Sequence, residues 1–95
     1  MDKMKIIELK RLRALILTSL YESVKGVLLT GTIKKAFSAS YASNEVEKQI
    51  DYLRERGYIR DLNPDEMIQD DVIIKITDNG SDVVEGTKED PGVEF

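Results

Sequence analysis

The chain has 95 residues, of which 41% are hydrophobic and 34% are charged, and its formal net charge is −4. A chain of this length forms one globular domain with a single core and little room for a deep active site. The sequence has no histidine and no cysteine, which excludes disulfides, thiol chemistry, and the commonest general base and metal ligand. We therefore predict a protein that is not an enzyme and uses no metal and no cofactor.

The sequence also lacks the signals of membrane insertion and export. Its longest uninterrupted apolar run covers residues 14–17, far short of the ~20 residues that a membrane-spanning helix needs. The first residues alternate apolar and charged side chains without the apolar core of a signal peptide. We predict a cytoplasmic protein with no membrane association.

Charge is distributed unevenly along the chain. Residues 1–35 carry eight basic and three acidic side chains, whereas residues 61–95 carry two basic and eleven acidic ones. Such asymmetry indicates that two faces of the fold meet different partners, that copies of the chain pair head to tail, or that charge serves only solubility.

The first predicted helix covers residues 3–24 and has two apolar faces. A helix that is apolar nearly all round is either central to the core or buried between two copies of the chain. We predict a homodimer with this helix in its seam. The predicted seam residues are Leu9, Leu12, Ile16, Leu17, Leu20 and Tyr21.

The next segment predicts a short strand and two helices joined by a turn. Gly26 is predicted to cap the first helix, and residues 27–29 read as a strand. Thr30 or Thr32 is predicted to cap a second helix over residues 33–39. The small and polar residues 38–42 then suit the turn of a helix-turn-helix motif.

The third predicted helix begins at Ser43 or Asn44 and stops at Gly57. Asn44 followed by Glu47 resembles a capping box. The apolar positions of this helix have the spacing of a core-facing stripe. These positions are Val46, Ile50 and Leu53.

The last third of the chain predicts a β-hairpin and a final helix. Strands are predicted over residues 58–62 and 72–77, with a turn at residues 63–66. Thr77 is predicted to cap a helix that runs through residue 84 and stops at Gly86. Residues 87–95 form an acidic C-terminal tail, whose Val93 and Phe95 either dock onto the domain or fray.

The predicted order is helix, strand, helix, helix, strand, strand, helix. It is the order of an α+β winged helix-turn-helix domain, which we assign to residues 1–86. The segment DYLRERGYI within residues 45–62 and the later KITDNGSDVVEG carry this assignment. The whole chain further resembles the small winged-helix proteins of Mu-like transposable phages and prophages. The matching segments are residues 12–20, 51–57, 77–85 and 90–92.

The fold predicts a small regulator or accessory protein that binds duplex DNA. In helix-turn-helix modules the first turns of the recognition helix meet base edges. Asn44 suits adenine, and Lys48 suits guanine or a phosphate. The full set of predicted DNA-binding residues is Lys34, Lys35, Tyr41, Ser43, Asn44 and Lys48.

The predicted outward positions of the third helix also include three acids, Glu45, Glu47 and Asp51. These acids favour an alternative, a winged-helix module that binds protein and not DNA through its acidic wing and tail. Residues 63–71 contain four acids and no base, so they would repel the phosphates that give DNA-binding proteins most of their affinity. Two apolar residues in this loop suit a partner anchor. The predicted partner-binding residues are Asp65, Glu66, Met67, Ile68, Asp70 and Asp71.

Overall fold

The computed structural model describes residues 2–62 and 71–95, which form four α-helices, a 3-10 turn and a three-stranded antiparallel sheet. The elements are α1 (Lys3–Glu22), the 3-10 turn (Val24–Gly26), β1 (Val27–Leu29), α2 (Thr30–Ala36), α3 (Ser43–Glu55), β2 (Ile59–Asp61), β3 (Ile73–Ile76) and α4 (Asp78–Glu85). The predicted α+β class is confirmed. The predicted turn at residues 63–66 lies outside the described residues.

The strand β3 is the centre of the sheet, whose strand order is β1-β3-β2. Leu28 of β1 lies opposite Ile74, and Ile59 of β2 lies opposite Ile76. Ile59, Ile74 and Ile76 are all buried. The sheet therefore packs one face against the helices, as the alternation of apolar residues along β3 predicts.

The helix α1 is the centre of the domain, because it packs against α3, α4 and β3. Four residues predicted to form a dimer seam have no exposed surface within one copy of the chain. They are Leu12, Ile16, Leu17 and Leu20. These side chains form the core and are not available to a seam, which corrects that prediction. Leu9 is half-buried, and Tyr21 is exposed and donates a hydrogen bond to Glu85 (2.6 Å).

The helix α1 starts where the sequence predicts, but its C-terminal end differs from the prediction. Asp2 caps the start of the helix, where its carboxylate accepts a hydrogen bond from the Met4 N–H (3.1 Å). The helix ends at Glu22, two residues early. Gly26 closes the 3-10 turn instead of capping α1, and its φ of 68° is one that glycine tolerates best. A Cβ atom there would lie 2.7 Å from the side chain of Ile76.

The helix α2 begins at Thr30, three residues earlier than predicted, and ends at Ala36. Neither Thr30 nor Thr32 caps it with a side chain. The Thr30 hydroxyl instead donates to Asp71 (2.9 Å) and accepts from the Val72 N–H (3.2 Å). Thr30 therefore ties the start of α2 to the segment that leads into β3.

The helix α3 is capped one residue before Ser43, the earlier of its two predicted starting residues. Its N-cap is Ala42, and Glu45 accepts a hydrogen bond from the Ala42 N–H (3.4 Å). Ser43 and Asn44 are already helical, so the predicted pairing of Asn44 with Glu47 is wrong. The predicted core stripe is confirmed, since all three of its members are buried. They are Val46, Ile50 and Leu53.

The predicted signals around α4 are confirmed. The Thr77 hydroxyl accepts from the Gly80 N–H (3.1 Å) and donates to the carbonyl of Gly57 (2.6 Å). Gly57 follows α3 and Gly86 follows α4, with φ values of 78° and 85°. This left-handed conformation at a helix C-terminus favours glycine.

The C-terminal residues 87–95 pack against the domain. The Glu94 N–H donates to the Lys10 carbonyl on α1 (3.1 Å). Val93 is 7% exposed, whereas Phe95 is 63% exposed. The sequence left open whether Val93 and Phe95 dock onto the domain or fray. The structure shows that Val93 docks.

Arg13 connects this C-terminal segment to two helices. Its guanidinium lies 3.7 Å from the centre of the Tyr52 ring, a cation–π contact. Its Nε donates to Gln49 on α3 (2.7 Å), and its Nη1 donates to the Gly92 carbonyl (2.9 Å). Arg13 is therefore a structural residue, although it belongs to the basic N-terminal third of the chain.

A buried hydrogen bond also holds the C-terminal segment. The Tyr58 hydroxyl donates to Asp90 (2.5 Å), and both residues are buried. Burial and the hydrogen bond to Asp90 raise the pKa of Tyr58 from 10.0 to about 12. Burial alone would raise the pKa of Asp90, but hydrogen bonds from Tyr58 and the Gly92 N–H, together with the Arg56 charge, hold it below 3.8.

We expect Tyr58→Phe to lower the free energy of unfolding at pH 7 by about 2 kcal/mol, because Asp90 loses a buried donor. A tyrosine whose pKa is higher in the folded state stabilises the fold fully below pH 10 and ceases to do so as pH rises through about 12. As pH rises from 10 to about 12, the Tyr58→Phe variant should therefore lose less stability than the wild-type chain. Urea denaturation at a series of pH values measures both effects.

Tyr21→Phe is the matched control, because Tyr21 also donates to a carboxylate but is exposed. We expect it to change stability by less than about 0.5 kcal/mol. Equal effects of the two substitutions at pH 7 would contradict the role assigned to the Tyr58–Asp90 bond.

Candidate nucleic-acid interface

Most of the residues predicted to bind DNA lie on the neighbouring helices α2 and α3, and we call this set of residues the α2–α3 face. The helices α2 and α3 pack together, and Lys34 of α2 reaches Glu47 in the second turn of α3. Asn44 and Lys48 are one turn apart, so they share a side of α3. The α2–α3 face consists of Lys34, Lys35, Ser43, Asn44, Glu47 and Lys48.

The two exposed lysines of this face are Lys35 and Lys48. Within the described ranges, neither has a carboxylate within 4.0 Å, the limit for an ion pair. Ser43 and Asn44, in the first turn of α3, are also exposed. All four side chains are accessible to solvent.

Lys34 and Tyr41 are less accessible than the sequence predicts. Lys34 is half-buried and forms an ion pair with Glu47 at 3.5 Å. Tyr41 is half-buried and packs against the hydrophobic core. The aromatic ring therefore contributes to stability, and Lys34 carries a charge that Glu47 already balances.

Glu45 is directed toward α1 and not toward the outer side of α3. It pairs with Lys5, and it also accepts the Ala42 N–H. The hydrogen bond between the two groups lowers the pKa of Glu45 and raises the pKa of Lys5. The sequence predicted an outward-facing acid here, and the structure corrects that placement.

A groove of about 290 Å³ lies between α2, α3 and the two hairpin strands. Arg54 lies in it and bonds Asp51 (2.6 Å) and Asp61 (3.0 Å). Arg54 was not predicted as a site residue, because nothing in the local sequence distinguishes it from a solvated arginine. The groove is lined by two bases, Lys34 and Arg54, and by three acids, so its net formal charge is −1. The groove is lined by Thr30, Lys34, Glu47, Ile50, Asp51, Arg54, Asp61 and Val72.

Only one of the predicted partner-binding residues is described. Asp71 accepts hydrogen bonds from the Thr30 hydroxyl and from the Gly31 N–H. It thereby satisfies donors at the start of α2, which corrects its placement on a partner-binding surface. The rest of the set lies outside the described residues. These are Asp65, Glu66, Met67, Ile68 and Asp70.

Comparisons of the chain with protein-family models, with curated proteins and with solved structures gave no significant match. The helices within the described ranges are all too short or too polar to cross a membrane.

Proposed function

We propose that the chain is a winged helix-turn-helix domain that binds duplex DNA without catalysis, as a small regulator or accessory protein of the phage type. The observation that carries this proposal is the joint exposure of Lys35, Ser43, Asn44 and Lys48 on the α2–α3 face. The position of β2 and β3 after α3 supports the winged-helix assignment.

In the proposed complex, the first two turns of α3 enter the major groove. Asn44 is placed to pair with an adenine edge, and Lys48 with a guanine or a phosphate. Lys35 on the neighbouring helix contacts a phosphate. The protein makes few phosphate contacts in this arrangement, so we propose weak non-specific affinity and a shallow dependence on salt.

The test is fluorescence anisotropy of a labelled random-sequence duplex between about 50 and 200 mM salt. We expect Lys35→Gln combined with Lys48→Gln to weaken binding at least ~10-fold and to reduce the logarithmic salt slope by about 2, one for each lost phosphate contact. Lys25→Gln is the control, because Lys25 follows the far end of α1, roughly 30 Å from the end near α3. Absence of wild-type binding at the lower salt would reject the proposal.

A second candidate function is the binding of a basic protein segment, and the acids of the groove favour it. Glu47, Asp51 and Asp61 surround the space beside Arg54. Each is placed to accept hydrogen bonds from a lysine or arginine of a partner.

Neutralising two groove acids distinguishes DNA binding from the binding of a basic protein segment. Glu47→Gln with Asp51→Asn frees Lys34 from its ion pair and leaves Arg54 with Asp61 as its acidic partner within the described residues. The double variant should bind the duplex several-fold more tightly if DNA is the ligand. It should bind a labelled oligolysine peptide more weakly if a basic segment is the ligand.

A further inference from the structure

The outward side of α1 carries an apolar and charged stripe that its own domain leaves uncovered. Met4 is 64% exposed and Leu15 is 50% exposed, and Glu8 and Arg11 between them are also exposed. At 3.6 residues per turn, these four positions fall within an arc of roughly 60° on the helix. We call these residues the outer α1 stripe: Met4, Glu8, Arg11 and Leu15.

A groove beside Leu15 extends this surface toward the C-terminal segment. Its volume is about 290 Å³, and Phe95, which is 63% exposed, lies on its other side. The Glu94 N–H holds this segment to the Lys10 carbonyl of α1 (3.1 Å). Phe95 and Leu15 therefore form one exposed apolar patch at one end of the outer α1 stripe.

We propose that the outer α1 stripe binds a second copy of this chain, with the two α1 helices antiparallel about a two-fold axis between Glu8 and Arg11. In this register Glu8 of each copy faces Arg11 of the other. Met4 of each copy faces Leu15 and Phe95 of the other. A two-fold arrangement repeats each contact, which gives two ion pairs and two apolar contacts.

The charges of the stripe select the antiparallel orientation. A parallel pairing in register would place Glu8 opposite Glu8 and Arg11 opposite Arg11, and such like-charge contacts oppose association. Within the described residues, Glu8 and Arg11 make no ion pair in their own domain. Both charges are therefore available to a second copy.

The size of the surface indicates a weak dimer. The exposed apolar side chains and the two charges cover on the order of 500 Å² per copy, below the ~800 Å² per partner of a standard interface. Sedimentation velocity between about 5 and 500 µM should therefore show a mass that rises with concentration from 10.8 kDa toward twice that value.

A charge swap tests the register directly. Glu8→Arg gives a stripe with two positive charges, and Arg11→Glu gives one with two negative charges, so each variant alone should stay monomeric. The combination Glu8→Arg with Arg11→Glu in one chain should restore the dimer. An equimolar mixture of the two single variants should form a heterodimer, because each charge then meets its opposite.

The control is Glu55→Arg, which changes charge by the same amount at an exposed position of α3 and should leave the dimer intact. Circular dichroism should show that every variant is folded. A wild-type chain that stays at 10.8 kDa throughout, or single variants that dimerise like the wild type, would overturn the proposal. A mixture of single variants that stays monomeric would overturn the proposed register.

Discussion

Leu17→Ala is expected to lower the free energy of unfolding by about 3 kcal/mol, which is a large fraction of the 5–15 kcal/mol typical of a small domain. The Leu17 side chain has no exposed surface and lies where α1 meets the rest of the core. Truncation removes apolar area from the folded state and leaves a cavity that the neighbouring side chains fill only in part. Chemical denaturation monitored by circular dichroism measures the loss.

Leu15→Ala is the matched control, since it is the same change two residues away on the same helix. Leu15 is 50% exposed, so its truncation should cost less than about 0.5 kcal/mol at a protein concentration of a few µM, which is below the range in which we propose that the dimer forms. Similar losses for the two variants would contradict the assignment of Leu17 to the core and Leu15 to the surface.

Gly80→Ala is expected to destabilise the fold by about 3 kcal/mol, although alanine is a better helix former than glycine by roughly 1 kcal/mol. Gly80 lies in the first turn of α4 and packs directly on the backbone of Tyr58. A Cβ atom would collide with the Tyr58 carbonyl oxygen and lie 2.8 Å from the Ile76 side chain. The helix would have to move away from β2 and β3.

Ser81→Ala is the control for Gly80→Ala, because it places the same new residue at the next position of α4. Ser81 is half-buried, and its hydroxyl makes no hydrogen bond within the described ranges. Its replacement should change stability by less than about 0.5 kcal/mol. Thermal unfolding of both variants measures the difference. A stabilising effect of Gly80→Ala would show that helix propensity outweighs the close packing.

The sequence predicted α4 and the end of α3 well because both carry a local signal. Thr77 caps the start of α4, and Gly57 has a left-handed conformation just after α3. Both residues act on the helix turn next to them. The cap of α3 was predicted at Ser43 or Asn44, one or two residues late, because serine and asparagine are better capping residues than alanine. The chain caps at Ala42 because Glu45 supplies the acceptor from inside the helix.

The role of α1 could not be predicted from periodicity. Two apolar faces are equally compatible with a helix at the centre of a core and with a helix in a dimer seam. The structure distinguishes them because α1 meets α3, α4 and β3 at once. The position of α1 depends on its tertiary contacts, which a single sequence does not show.

The electrostatics of the α2–α3 face were also outside the reach of sequence reasoning. Lys5 and Glu45 are forty positions apart, and Lys34 and Glu47 belong to different helices. Counting charges along the chain treats all four as available to a ligand. The fold pairs them with one another, and Lys35 and Lys48 are left as the exposed cations of that face.

The central position of β3 has a consequence for how the chain acquires its structure. Both outer strands pair only with β3, yet both are synthesised before it. The sheet therefore cannot begin to form until the β3 residues from Ile73 onward have been made, and until then the backbone groups of β1 and β2 have no strand partner. Closing the long loop between β1 and β3 carries an entropic cost that helix formation does not. Folding should thus begin with α1 and α3 and be completed late, when β3 joins the two strands.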